Sequence, residues 1–288
     1  MSPTLQQQIQ QFYDASSGLW ERVWGEHMHH GYYGPQGDQR INRRQAQIDL
    51  IEALLQWSGV TQAENILDVG CGIGGSSLYL AEKFGAAVTG ITLSPVQAQR
   101  ARERAIAAGL AAQVQFQVAD ALALPFADAS FDLIWSLESG EHMPDKQRFL
   151  QECSRVLRPG GTLLLATWCH RPIATQPLTQ PEQEHLARIY QVYCLPYVIS
   201  LPEYAELAQT LPLENLRTAD WSTAVAPFWD VVIDSAFSLD VLWGILTSGW
   251  STIQAALSLG LMADGYRSGL IRYGLLCGTK SLGPTPRL

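Results

Sequence analysis

The chemistry-bearing residues begin with Asp68-Val69-Gly70-Cys71-Gly72-Ile73-Gly74-Gly75-Ser76-Ser77. Glycines here let the backbone approach a ligand closely and take positive φ, so Gly70, Gly72 and Gly74 are candidate cofactor contacts. The spacing Gly70-x-Gly72-x-x-Gly75 matches the dinucleotide fingerprint, which alone does not separate NAD from other adenosyl cofactors. A dinucleotide site places an acid roughly 20 residues further on to grip the ribose. Thr92 stands there instead, followed by Leu93, and the carboxylate lies ahead of the glycines at Asp68. A carboxylate inside the loop suits a cationic ligand better than a pyrophosphate; it can also stabilise the turn. Asp120 and Ala121 offer an acceptor and an amide for an adenine, although Asp120 also suits a helix N-cap. Leu137-Glu138-Ser139-Gly140-Glu141-His142 brings two carboxylates and an imidazole together, the groups that move protons near neutral pH, with His170 further on.

These residues need strands that end beside one another. Apolar runs at 66–69, 87–94, 114–118, 131–136 and 162–168 alternate with helical patterns and supply them. This alternation over about 61–170 predicts a parallel sheet covered by helices on both faces, its ligand site at the carboxyl ends of the strands. Residues 5–13 and 38–58 have helical spacing, and the intervening stretch is rich in aromatic residues and includes His27, His29 and His30. A metal reading of these three imidazoles lacks evident supporting acids, and none is assigned. Past Trp168 the pattern breaks. Short helices around 181–193 and 202–210, a strand near 216–221, an apolar helical region at 227–266 and a last strand near 270–278 complete the reading. The excursions 170–212 and 227–266 are long for simple connections and are expected to cap the strand ends, with residues 1–60 as a cover, all in one domain of residues 1–288. Gly283-Pro284-Thr285-Pro286 reads as a loose tail.

A net charge of −8 and no basic run argue against a nucleic-acid partner. Five cysteines without a CxxC pair argue against a disulfide framework or zinc site and fit a reducing compartment. The residues from Met1 resemble neither a signal peptide nor a transit segment, so a cytoplasmic location is expected. Val241–Ala263 has no charge and would span a bilayer by length, but its Gly, Ser, Thr and Gln content favours a buried or lid helix pair.

From Ile66 to Trp168 the succession of motifs resembles the class I S-adenosylmethionine-dependent methyltransferases, implying a Rossmann-like seven-stranded α/β sheet with helical cap insertions and that cofactor. Thr92-Leu93-Ser94-Pro95-Val96-Gln97 is similar to the mycolic-acid cyclopropane synthase branch, which implies a ribose contact for Gln97; its alternative is a first-turn helix residue. The same branch implies that Met28 and His29 cover the cofactor and that Leu137 and His142 close around its methionine end. Ser16-Ser17-Gly18-Leu19-Trp20, Gly25-Glu26-His27-Met28-His29-His30-Gly31-Tyr32-Tyr33, Ser136–Lys146, Thr167–Arg171 and Ala219-Asp220-Trp221-Ser222 resemble the γ-tocopherol C-methyltransferase family. That resemblance implies methylation of the chromanol ring ortho to the phenol of γ- and δ-tocopherol, in vitamin E biosynthesis. It implies a lipophilic phenolic partner and peripheral contact with thylakoid-type membranes.

Carbon methylation of a phenol needs a base for the phenolic proton and a path for the ring proton. His142, Glu141 and Glu138 are the candidates, with His170 and His29 in reserve; the carboxylates can equally orient the loop. Tyr190, Tyr193, Tyr197, Trp221, Phe228, Trp229, Phe237, Trp243 and Trp250 suit an apolar tail or simple packing of the cap. An alkaloid-type N-methyltransferase, a prenylquinol ring methyltransferase and a non-catalytic cofactor-binding lipid carrier are the alternatives.

Overall fold

The computed structural model describes residues 5–174, 176–236 and 250–283. One sheet is built from β1 Asn65–Val69, β2 Ala87–Thr92, β3 Val114–Val118, β4 Phe131–Leu137, β5 Leu157–His170, β6 Leu213–Asp220 and β7 Ile271–Lys280. Their order across it is β3-β2-β1-β4-β5-β7-β6. The central strands are buried on both faces: Leu133, Trp135, Leu164 and Trp168 enter one core, Ile134, Leu163, Leu165 and Cys169 the other, while the edge strand β6 is largely exposed. Such two-sided burial explains why the central strands read as continuous apolar runs. The order reverses between β1 and β4, which opens a crevice at their carboxyl ends.

The first five strands pair in parallel, as alternation predicts. β7 does not. It lies antiparallel between β5 and β6, from Thr162 opposite Thr279 to His170 opposite Ile271. A short turn at 268–270 returns the chain directly into the sheet, without the helical crossover that a parallel strand requires. The Arg158–Gly161 segment is an irregularity within β5, where pairing shifts between Phe131 and Leu133.

At the N-terminus, α1 runs Leu5–Trp24, past the expected end at residue 13. Ser17 does not interrupt it, since its hydroxyl donates back to the Tyr13 carbonyl within the helix. α2 spans Arg43–Ser58 rather than 38–58, because Asn42 is its N-cap and accepts from the Gln45 amide. The sheet helices are α3 Gly75–Phe84, α4 Pro95–Ala107 and α5 Lys146–Val156. Beyond β5 come α6 Gln180–Tyr193, α7 Leu201–Gln209, α8 Ser222–Val225, α9 Pro227–Ala236 and α10 Trp250–Arg267. α10 packs on α6, α9 and β7, while α1 packs on α4 and α9.

Of the uncharged stretch Val241–Ala263, residues 241–249 lie outside the described residues; so do Phe237, Trp243, the Trp250 side chain and Pro284-Thr285-Pro286. Among the described residues no helix is long and apolar enough to cross a membrane.

Candidate active site

β1 delivers the chain into its glycine turn with Asp68 buried one residue before the strand ends. Gly70 has φ +83°, and a Cβ there would lie 2.2 Å from the Ser139 Cβ. No other residue fits so close an approach between the β1 and β4 turns. Ser139 cements it, its hydroxyl donating to the Val69 carbonyl at 2.6 Å and meeting Ser136 Oγ at 2.8 Å. Gly70 and Gly72 line the cavity at the crevice. Gly74 does not: a Cβ there would press on the Phe116 ring at 2.6 Å, so this glycine serves helix-to-sheet packing, and Gly75 reaches the cavity in its place.

Asp68 accepts from Ser77 Oγ at 2.5 Å, and burial pushes its carboxyl up to about 7. Thr92 Oγ1 donates to Gln97 Oε1 at 2.8 Å, leaving the Gln97 amide NH2 to serve a hydroxyl. Asp120 takes the Leu122 amide at 2.9 Å through one carboxylate oxygen. Asp68, Thr92, Leu93, Gln97, Asp120, Ala121, Leu137, Met28, His29 and His142 all line the same cavity.

The turn Gly140–His142 after β4 carries the titratable end. Glu138 adopts φ +54°, unusual for a side-chain-bearing residue, and this aims its carboxylate inward. It accepts from the His30 amide (2.8 Å), His30 Nδ1 (2.8 Å), the Tyr273 hydroxyl (2.9 Å) and Trp168 Nε1 (3.2 Å). Burial alone would raise its pKa, but His30 outweighs this and holds it below the ordinary carboxylate range. Glu141 goes the other way. Burial and then the Glu138 charge push it up to about 8, with Thr167 Oγ1 donating to it at 2.7 Å. Two carboxylates three residues apart are therefore driven into different protonation states.

Burial, and after it the Lys146 charge, lowers His142 to about 3, so its ring is neutral. Its Nε2 lies 2.6 Å from the Tyr13 hydroxyl, while its buried Nδ1 has no partner among the described residues. His29 Nδ1 sits 2.7 Å from the His30 carbonyl. A carbonyl only accepts, so Nδ1 carries the proton and the buried, unpartnered Nε2 carries a lone pair. His170 is held apart. It donates from Nδ1 to the Arg171 carbonyl, faces Glu203 at 3.8 Å and does not line the cavity.

The imidazole-rich segment is shaped by Gln47 of α2, whose amide donates to the carbonyls of Trp24, His27 and His29. His30 is enclosed by the rings of Trp168, Phe228, Trp229, Tyr266 and Tyr273 at centroid distances of 5.1–5.9 Å. Sequence reasoning did not single out Tyr13, Gln47, Thr167, Tyr273 or Lys146. Tyr13 reads as one more residue of an amphipathic helix, Lys146 as an ordinary first-turn lysine, and the others signal only through partners distant in sequence.

The residues fit an S-adenosyl cofactor. Open glycine backbone, carboxylates for a cation, Gln97 for a ribose and Asp120 for an adenine follow one another along the strand ends. The far wall is aromatic, with Trp168 and Tyr193 edge to face at 5.3 Å.

Residues 67–165 match the family described as Methyltransferase domain. Over 96% of its length the chain is 48% identical to the chloroplastic tocopherol O-methyltransferase of Arabidopsis thaliana, covering 83% of that protein. It is 37% identical to the 2-methyl-6-phytyl-1,4-hydroquinone methyltransferase of a Synechocystis strain, covering 90% of this chain and 82% of that one. The geranyl diphosphate C-methyltransferase of Streptomyces coelicolor, solved with S-adenosylhomocysteine, shares the fold at a TM-score of 0.76 and 24% identity, over 97% of this chain and 98% of that chain.

Proposed function

The chain belongs to the tocopherol methyltransferase family of S-adenosylmethionine-dependent methyltransferases, and from that premise we propose that it methylates the ring carbon ortho to the phenol of γ- or δ-tocopherol. One observation carries the reading of the acceptor. The glycine cradle opens into the same cavity as Glu141, His142 and an aromatic wall of Trp168 and Tyr193, so a phenol there sits beside both the methyl donor and proton acceptors.

When bound, S-adenosylmethionine supplies an electrophilic methyl group on a sulfonium. The backbone at Gly70 and Gly72 would admit it, with Asp68 toward its ammonium and Thr92, Leu93 and Gln97 toward its ribose. Asp120 and Ala121 would hold the adenine, Leu137 the methionine end, and Met28 and His29 would cover it. His29 Nε2, without a partner among the described residues, would be free to accept from the ammonium.

At the acceptor end, His142 in the tautomer that donates from Nε2 to Tyr13 keeps its Nδ1 lone pair for the phenolic proton. Removing that proton drives electron density onto the ortho carbon. Burial and Lys146 disfavour the imidazolium in the empty site, so the proton is held there only against the phenolate's negative charge, with one N–H given to Tyr13 and the other to the phenolate. The methylated carbon must then lose its own proton, and Glu141, on the same turn, is the base within that end of the cavity. Glu138, with four donors already on its carboxylate, fixes the cover and keeps a negative charge beside the reacting centre. The described helices after β5 and β6, α6, α7, α9 and α10, would cap an apolar tail. A substrate drawn from lipid places the protein at a membrane surface peripherally.

The test compares turnover of γ-tocopherol, δ-tocopherol, a phytyl hydroquinone and an indole-alkaloid amine with labelled S-adenosylmethionine. Faster turnover of the tocopherols supports the reading, and preference for the amine rejects it.

A further inference from the structure

Lys146 opens α5 and is 2% exposed, yet it forms no ion pair among the described residues. Its ammonium donates instead to three backbone carbonyls: Glu141 (2.9 Å), Met143 (2.7 Å) and Tyr197 (3.0 Å). An ammonium has three protons, and all three are used. The Tyr197 ring adds a fourth contact, 4.8 Å from Nζ to its centroid. Burying an unpaired cation is expensive, and an apolar side chain would fill the space more cheaply.

The placement of the three carbonyls is the informative part. Glu141 and Met143 bracket His142, so Lys146 fixes the backbone on both sides of that imidazole. The third acceptor lies in the segment after α6, the helix that brings Tyr193 to the aromatic wall. One side chain thus ties the proton-transfer turn to the segment that covers the acceptor. The Tyr204 hydroxyl, donating to the Gly140 carbonyl at 3.2 Å, braces the same turn from α7.

We infer that Lys146 is a positioning residue for methyl transfer, holding Glu141 and His142 in register with the acceptor beneath the cap. It does not line the cavity that would hold cofactor and acceptor. Seating the acceptor against the cap and aligning the base are therefore one event.

This inference rests on the acceptor reading above, and the experiment separates the two. Lys146→Met removes the three donors and Lys146→Arg displaces them. Both are compared with wild type on whichever acceptor the wild type methylates, so failure with tocopherol leaves the comparison intact. The measurements are kcat, acceptor KM and the Kd of S-adenosylhomocysteine. Expected is a fall in kcat of about ten- to a hundredfold for Lys146→Met and less for Lys146→Arg, with a raised acceptor KM and the Kd kept within about twofold. An unchanged kcat overturns the inference, and so does a parallel loss of kcat and cofactor affinity, which marks a general structural prop. If Lys146→Met does not fold, the same split in Lys146→Arg decides alone.

Discussion

The Tyr13 hydroxyl lies 2.6 Å from Nε2 of His142, joining α1 across the cavity mouth to the turn after β4. α1 is also tied at Asp14, which accepts from Ser94 Oγ at 2.5 Å, and at Glu21, which pairs with Arg100. The first helix thus supplies part of the cavity wall through Ile9, Phe12, Tyr13 and Trp24. Tyr13→Phe removes the partner that fixes the His142 ring. We expect kcat to fall about ten- to a hundredfold, the cost of one hydrogen bond to a group that becomes charged. Steady-state kinetics with S-adenosylhomocysteine binding alongside checks this, since the cofactor Kd should hardly move.

Glu138→Gln breaks a buried pairing with His30 while leaving the side chain's shape. Unfolding stability should drop by about 1–3 kcal/mol, the scale of hydrogen bonds to a buried charged group, with weaker cofactor binding because Met28 and His29 share the His30 segment. The sign of the pH effect follows from the lowered carboxyl of Glu138. Its contribution is full above the ordinary carboxylate value of 4.5 and is lost as pH falls from there through the lower value it has in the fold. Urea titrations stepped from neutral pH to well below 4.5 should show the wild type converging on the variant only at the acid end.

Glu141 has the opposite sign. Its carboxyl is raised from 4.5 to about 8, so the protonated form favours the fold, and that contribution declines as pH rises from 4.5 through 8. As the acceptor of the ring proton it must be ionised, so kcat should climb with pH through a limb near 8. Glu141→Gln should lower kcat and flatten that limb. A variant that kept the wild-type limb would remove Glu141 from proton transfer.

Gln97→Ala and Asp120→Asn probe the proposed adenosine end. Each should raise the Kd of S-adenosylhomocysteine by about tenfold, one hydrogen bond's worth, and leave the acceptor KM near wild type. Calorimetric titration gives the first quantity and initial rates the second.

Much of this architecture was legible in the chain because strand–turn–helix units carry their signals locally. The run into Gly70, the Thr92–Gln97 segment and Asp120 each depend on residues within a few positions, and all face the cavity that the sheet order creates. His142 and Glu141 were legible for the same reason, following directly on β4. What stayed hidden depends on contacts across the fold. His170 carries a suitable ring, but its strand runs on past the crevice and turns it toward Arg171. Glu138 reads as a candidate base, and nothing near it in the chain signals that His30, Trp168 and Tyr273 converge on it from three distant segments. The direction of β7 likewise follows from how α10 hands the chain back, and the alternating pattern holds no trace of that.

The most direct measurement supplies S-adenosylmethionine labelled with carbon-13 at its methyl group together with γ-tocopherol, and locates the label in the product by NMR. The account predicts an aryl methyl resonance on the ring carbon ortho to the phenol, with no label on oxygen. A methoxy resonance, or cofactor binding without transfer to any tocopherol, would contradict it.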